Sequence, residues 1–235
     1  MSLTTARGPL GVHPLGRFSA PLPAGVVYVE PHPRRVQGVV DGSAVIDTER
    51  ALLVHRAGHT LTYAFPPEVV GELPHEPEAE AAGYVAVPWD AVDAWFEEGR
   101  RLIDYPPNPY HRVDCRPTTR RLRVDVAGTT LVDTDDTVIL FETAIDARLY
   151  VRPELVRTDL LRRSELTTYC NYKGVAGYWH AAVDGTLVEN VAWSYDDPLD
   201  ESRAIAALLS FDAERVHVVA ELPTADWPPT TTAPR

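Results

Sequence analysis

Lysine is nearly missing from this chain: Lys173 stands alone beside 21 arginines. Cysteine is scarce as well. Cys115 and Cys170 are the only two, and no Cys-x-x-Cys pair exists, which excludes thioredoxin-like chemistry. No HExxH, GxSxG, GxxxxGKS/T or GxGxxG string occurs, so zinc-protease, α/β-hydrolase and Gly-rich phosphate-loop readings fall away. No apolar run approaches the roughly 18 residues that cross a bilayer, and Pro and Gly interrupt residues 1–25 before a signal-peptide core forms. The expectation is a soluble cytoplasmic protein with free thiols and no membrane partner. Positive charge is in deficit too. The net charge is -12, and both halves carry an excess of acids, so a nucleic-acid partner is not expected. A small anion can still bind where local cations and backbone N–H groups converge, because the wider field is screened within about 10 Å.

What is present gathers around the lone lysine. A chain that uses Arg wherever a generic positive charge serves retains Lys where a planar guanidinium fails, or retains it by chance in a solvated turn. Lys173 sits in TTYCNYKGVAGYW, with Cys170 three residues upstream and Tyr169, Tyr172, Tyr178 and Trp179 around it. The YCNYKG string reads as a strand end followed by a turn, with Gly174 supplying a backbone conformation that a β-carbon disfavours.

An internal repeat organises the rest. Shifted by 86 positions, the segment beginning RRVQGVVDGSAVIDTERALLV lies without gaps over RRLRVDVAGTTLVDTDDTVIL, and PPEVV lies over RPELV. Arg34 meets Arg120, Gly42 meets Gly128, Asp47 meets Asp133 and Thr48 meets Thr134. Both copies read as alternating strands around a Gly-containing turn. Farther on, the string at Arg112–Cys115 resembles the one at Arg215–Val218, which suggests an offset of about 103 and a longer second copy. The extra length falls on TTYCNYKGVAGYW, which copy one lacks. Where copy two has Phe141 and Glu142, copy one has His55 and Arg56. These features divide the chain into a Pro-rich N-terminal tail (1–25), a degenerate first β domain (26–115), a second β domain carrying the site (116–222) and a disordered C-terminal tail (223–235). A pseudo-twofold pair of domains is the simplest arrangement, as a monomer holding an internal pseudo-dimer rather than an obligate oligomer. Each copy also offers one short α-helix opened by proline, PWDAVDAWFEEGRRLI with Val92, Trp95 and Phe96 inward, and PLDESRAIAALLSF with Asp197 as N-cap and Ile205, Leu208 and Leu209 inward.

Asp184-Gly185 between alternating runs is a hairpin signal. With 183 opposite 186, an undisturbed register puts His180 opposite Glu189 and Tyr178 opposite Val191. His180 and Glu189 then form either an exposed ion pair or an acid–base pair in a pocket. His55 and His59 share a helical spacing within a strand-like segment and read as unrelated. Glu142, ending the apolar strand TVILFE, is either solvated or a buried acid facing Lys173. Cys170 is either a nucleophile favoured by Lys173 or a small core residue. Trp193 and Tyr195 in VAWSYDDP add aromatic surface to the same hairpin.

Together LFET, TTYCNYKGVAGYW and VENVAWSYDDP resemble the signature segments of the domain of unknown function family 427, which carries a nucleotidyltransferase-like label. The resemblance covers roughly residues 116–222. It implies a mainly β protein of two tandem antiparallel domains of the β-tent type, with Glu142, Tyr169, Cys170, Tyr172, Lys173, Gly174, Trp179, Glu189, Trp193 and Tyr195 on motif positions. It implies no established reaction. Other β-tent proteins hold zinc through two Cys-x-x-Cys pairs; two cysteines cannot, and no metal or cofactor is expected. Three functional readings result. The first is a pocket in which Lys173 holds a small anionic molecule between Tyr172, Trp193 and Tyr195, with Cys170, Glu142, Glu189 and His180 available for chemistry if any follows. The second is an interaction surface without a ligand. The third, carried by the family label, is nucleotide transfer.

Overall fold

A computed structural model describes residues 3–23 and 25–224. The protein is mainly β, built of antiparallel sheets with few helical turns. It divides into two compact units. One runs up to Arg112 and takes in Thr143–Ile145, and the other holds Val113–Glu142 and the chain from Asp146 onward. Among the described residues no helix is long and apolar enough to cross a membrane.

The first unit contains β1 (Val27–His32), β2 (Val36–Val40), β3 (Ser43–Thr48), β4 (Ala51–Arg56), β5 (Thr62–Phe65), β6 (Glu76–Pro77), β7 (Val85–Ala86), β8 (Ala94–Glu97) and β9 (Arg100–Leu102). A single-turn helix, α1 (Pro67–Val70), lies between β5 and β6 and starts on proline, whose missing N–H goes unused there. The strands make two sheets, in the orders β1-β4-β5-β7-β6 and β3-β2-β8-β9. Period-two alternation turns Ala51 and Leu53 of β4 and Tyr63 and Phe65 of β5 into a core shared with Val36, Ile46 and Trp95 of the second sheet.

In the second unit the strands are β10 (Val113–Thr118), β11 (Leu122–Val126), β12 (Thr129–Thr134), β13 (Thr137–Glu142), β14 (Arg148–Tyr150), β15 (Leu161–Cys170), β16 (Gly174–Val183), β17 (Thr186–Ser194), β18 (Leu209–Phe211) and β19 (His217–Ala220). They form sheets β10-β13-β14, β12-β11-β19 and β15-β16-β17-β18. Val151 and Leu209 exchange two backbone hydrogen bonds of 2.9 Å, which joins the first of these sheets to the last. That composite layer has a core on each face. Ile139, Leu149, Ala192 and Phe211 belong to one, and Leu140, Tyr150, Ala176 and Tyr195 to the other.

Each of β10 to β13 begins and ends 86 positions after β1 to β4. Pairing follows the same shift. Val27 faces Arg56 as Val113 faces Glu142, and the bulge between Gly38 and Val39 recurs between Val124 and Asp125. The expected offset of about 103 farther on does not hold. Val113 opens β10 whereas Val216 leads into β19, so those similar strings occupy different places in the fold. The counterpart of β19 is β8: Glu97 faces Val36 as Ala220 faces Leu122. The second unit's extra chain carries β15, β16 and most of β17.

Neither predicted α-helix forms. In residues 88–103, Trp89–Ala91 is a 3-10 turn, and β8 and β9 make a hairpin around Glu98 (φ 48°) and Gly99 (φ 80°). Trp95 and Glu97 are both buried, so the inward period is two, and the acid at an inward position disguised it. In residues 198–211 a 3-10 helix, Asp200–Ile205, starts after Leu199 instead of Asp197 and gives way to β18. Part of the N-terminal segment read as a Pro-rich tail is tied to the first unit. Thr4 is buried, its hydroxyl donates to the His59 carbonyl at 2.7 Å, and the Gly58 N–H donates to the Thr4 carbonyl at 2.6 Å. Most of the tail expected at 223–235 lies outside the described residues.

Candidate functional site

The lone lysine occupies the turn of the β15/β16 hairpin. Cys170 faces Gly174 across it, and the Lys173 N–H donates to the Cys170 carbonyl at 3.3 Å. Gly174 has φ of 93°, the left-handed region that a β-carbon strains. The turn is buried, because the chain after β17 folds back over it. The Leu199 N–H donates to the Lys173 carbonyl at 3.1 Å, and the Ser202 hydroxyl to the Tyr172 carbonyl at 3.4 Å. Lys173 Nζ donates to Glu142 Oε2 at the end of β13, in an ion pair whose side chains are 9% and 4% exposed. The alternative in which Glu142 is a buried acid facing Lys173 is therefore the one observed.

Aromatic groups surround this pair on one face of the composite layer. Tyr150, Tyr172 and Tyr195 are buried, while Tyr178, Trp193, Cys115 and Cys170 are partly exposed at the edge of the same cluster. Tyr178 lies directly across from Trp193, whose indole N–H donates to the Tyr150 hydroxyl at 3.1 Å. Burial pushes the Tyr150 and Tyr195 phenols up, so both stay neutral donors near neutral pH. Burial, reinforced by Asp114, also pushes the Cys115 thiol up. Both cysteines are free. Among the described residues no group of three or more His, Cys, Asp or Glu is placed to hold a metal ion.

The other predicted residues are spread more widely. Tyr169, half-buried, pairs with Val175. Trp179 faces the opposite side of the sheet from Tyr178 and packs against the other core; its indole N–H meets Ser194 Oγ at 3.2 Å, and the Arg163 guanidinium lies 4.8 Å above its ring. Arg163 also pairs with Asp196 at 2.8 Å. The Asp184-Gly185 turn forms as expected, with Val183 opposite Thr186. Two pairs on, a bulge at Asn190 (φ 52°) shifts the register and puts Tyr178 opposite Trp193 instead of Val191. His180 therefore does not pair with Glu189. Its Nδ1 accepts the Asn190 N–H at 3.0 Å, and Glu189 is exposed.

Residues outside the predicted site form a second polar assembly, in the first unit. Tyr28, Glu30 and His32 share one face of β1. Glu30 accepts from His55 Nε2 at 2.8 Å and from the Tyr110 hydroxyl at 2.6 Å. His32 reaches Glu97 at 2.8 Å, which also takes Tyr63 at 2.8 Å and Arg34 at 2.5 Å. Arg56 pairs with the buried Glu78. The 28, 30, 32 alternation of polar and ionisable groups was the available signal. His59 is exposed and takes no part in the His55 contacts. A cavity of about 510 Å³ also lies in this unit, walled by residues between Pro9 and Pro23 with Val26 and Ala57; none of its walls comes from a predicted site residue.

No curated protein matches the chain. Residues 114–221, which hold Glu142, Cys170, Lys173, Trp193 and Tyr195, match the model of the family described as Domain of unknown function (DUF427).

Proposed function

We propose that the second unit binds a small anionic molecule at the Lys173–Glu142 pair, the anion exchanging with Glu142 as the counter-ion of the ammonium group. The observation that carries this reading is a buried lysine paired to a buried carboxylate beside half-exposed Tyr178 and Trp193. A buried ion pair is weak support for stability, since removing two charges from water costs several kcal/mol that attraction only partly returns. Tyr178 and Trp193 supply ring surface to the bound molecule, and Tyr172 and Tyr195 fix the floor. On this reading the two units are tandem copies of a β-tent type fold, the first shortened, a view supported by four strands recurring at a constant shift.

Calorimetry of the full chain against a panel of carboxylates and phosphates tests the proposal. Glu142→Gln frees the ammonium group and strengthens binding by about tenfold or more, while Lys173→Met abolishes it. A panel in which no compound binds Glu142→Gln more tightly than Lys173→Met overturns it.

One observation favours a second reading, a structural module without ligand. Arg56, which corresponds to Glu142 at the shift of 86, also forms an ion pair, with the buried Glu78. An ion pair at this position is then a property of the fold, and both variants lose stability without any change in binding.

A further inference from the structure

The first unit holds a carboxylate whose charge its neighbours leave uncancelled. The Glu30 side chain is only 15% exposed, and its contacts are His55 Nε2 at 2.8 Å, the Tyr110 hydroxyl at 2.6 Å and the Tyr28 hydroxyl at 3.4 Å. His55 is fully buried, and burial pushes its pKa down, so the imidazole is neutral and donates its Nε2 proton to Glu30. Its Nδ1 has no hydrogen-bond partner among the described residues. The Tyr110 phenol is held up chiefly by its bond to Glu30, so it too is neutral. A carboxylate largely withdrawn from water and met only by neutral donors is an unusual arrangement, because buried charges are ordinarily paired.

The groups around it are rings. Tyr28 and Tyr110 are each 45% exposed and flank the His55 ring at centroid distances of 5.4 and 6.0 Å, both tilted by about 50°. An anion with aromatic faces beside it suits an organic ammonium ion, which gains from the ring quadrupoles and from the carboxylate together. The second unit lacks this arrangement. At the shift of 86, Tyr28, Glu30 and His55 become Asp114, Arg116 and Phe141, and Arg116 pairs with Asp114 at 2.9 Å, so the local charge cancels.

We infer that Glu30, boxed by Tyr28, Tyr110 and His55, is a binding site for a small organic ammonium ion in the first unit. The carboxylate supplies the counter-charge, and the two tyrosines give ring surface and hold the carboxylate in place through their hydroxyls. His55 braces Glu30 from the buried side. This site is independent of the one proposed at Lys173.

The test is an NMR titration of the full chain with tetramethylammonium and methylammonium chloride, with tert-butanol as neutral control and sodium and magnesium chloride as inorganic controls. The expected result is saturable movement of the Tyr28, Tyr110 and His55 ring signals with the ammonium ions only. Glu30→Gln weakens the effect by about tenfold or more, since the counter-charge is lost while the shape is kept. Should Glu30→Gln fold poorly, Tyr28→Leu, at a half-exposed position, removes one ring and its 3.4 Å bond to Glu30 and weakens binding while the counter-charge stays. Ring signals that stay still throughout, that move equally with tert-butanol or sodium, or that respond only to magnesium, overturn the inference. So does unchanged ammonium affinity in folded Glu30→Gln and Tyr28→Leu.

Discussion

Glu142 and Arg56 hold the same register position in two strands 86 residues apart, with opposite charges, and each is neutralised by a partner of the other sign. In the second unit the strand gives the acid and the β15/β16 turn gives the base. In the first, the strand gives the base, and Glu78, just after β6, gives the acid. Both partners come from chain that follows β5 or its counterpart β14, so the position is defined by the fold while its polarity is free to change.

Glu142→Leu leaves the Lys173 ammonium group buried without its partner, and unfolding by denaturant should show a loss of about 3–5 kcal/mol. Lys173→Met alone strands Glu142 and should cost a similar amount. The double variant Glu142→Leu/Lys173→Met should recover most of that loss, because two well-packed apolar groups replace the pair. The exchanged pair Glu142→Lys/Lys173→Glu should be more stable than either single charge reversal. Additive losses in either cycle would remove the pairing argument.

Acid stability of the first unit should depend on Glu97. Burial, the largest single influence, pushes its carboxyl up, but hydrogen bonds from His32, Arg34 and Tyr63 together hold it at about 2. Because this folded value lies below the unfolded one, the stabilisation is complete above about pH 4.5 and disappears as pH falls toward about 2. Its size is about 3 kcal/mol. Glu97→Gln should lower stability at pH 7 and flatten the fall between pH 4.5 and 2. A variant with the same acid limb as the wild type would show that Glu97 titrates as an ordinary carboxyl.

The bulge in the β16/β17 hairpin gives a contrast between neighbours. Asn190 has φ of 52°, where a β-branched residue is strained by roughly 1–2 kcal/mol, and its N–H is fixed by His180. Asn190→Val should destabilise by about that much, and Asn190→Gly should be close to neutral. Glu189→Ala, at an exposed position with no contact to His180, should change stability by less than about 0.5 kcal/mol. A larger loss for Glu189→Ala, read in the same denaturation series, would restore the undisturbed register.

Particular residues decide what the chain reveals of its fold and what it conceals. Asp184-Gly185 was legible because a two-residue turn with both φ values positive demands such residues, but register counted outward from a turn survives only as far as the first bulge. Asn190, a residue tolerant of positive φ, carried that signal. In the first unit Val92, Trp95 and Phe96 mimic a helical stripe, while the opposing cue, a Glu98-Gly99 turn, was outweighed by the charge at inward-facing Glu97. The repeat was readable over β1 to β4 because loops there keep their lengths, and misaligned beyond because the long hairpin intervenes. Lys173 and Glu142 are 31 residues apart, one in a hairpin turn and the other at a strand end, so local pattern offered their contact only as one of two alternatives. Tyr110 and Glu30, 80 residues apart, lacked even that cue, since Tyr110 lies outside any strand.

Gly177 lies inside the string that resembles the family signature. It faces Thr167 on one side and Ser194 on the other, and a β-carbon there would collide with the Arg163 guanidinium. That guanidinium covers the Trp179 ring and pairs with Asp196, which in turn accepts from Ser194 at 3.1 Å. The clash involves the far end of a flexible side chain, so Gly177→Ala should leave the backbone in place and displace Arg163. The cost should be about 1 kcal/mol, the scale of one exposed cation–π contact with its ion pair. Trp179 emission should shift to the red as its ring gains water. Arg163→Ala should give the same shift, and the double variant no more than either alone, because both changes remove one contact. A full additive loss would mean that Gly177 is needed for some other approach.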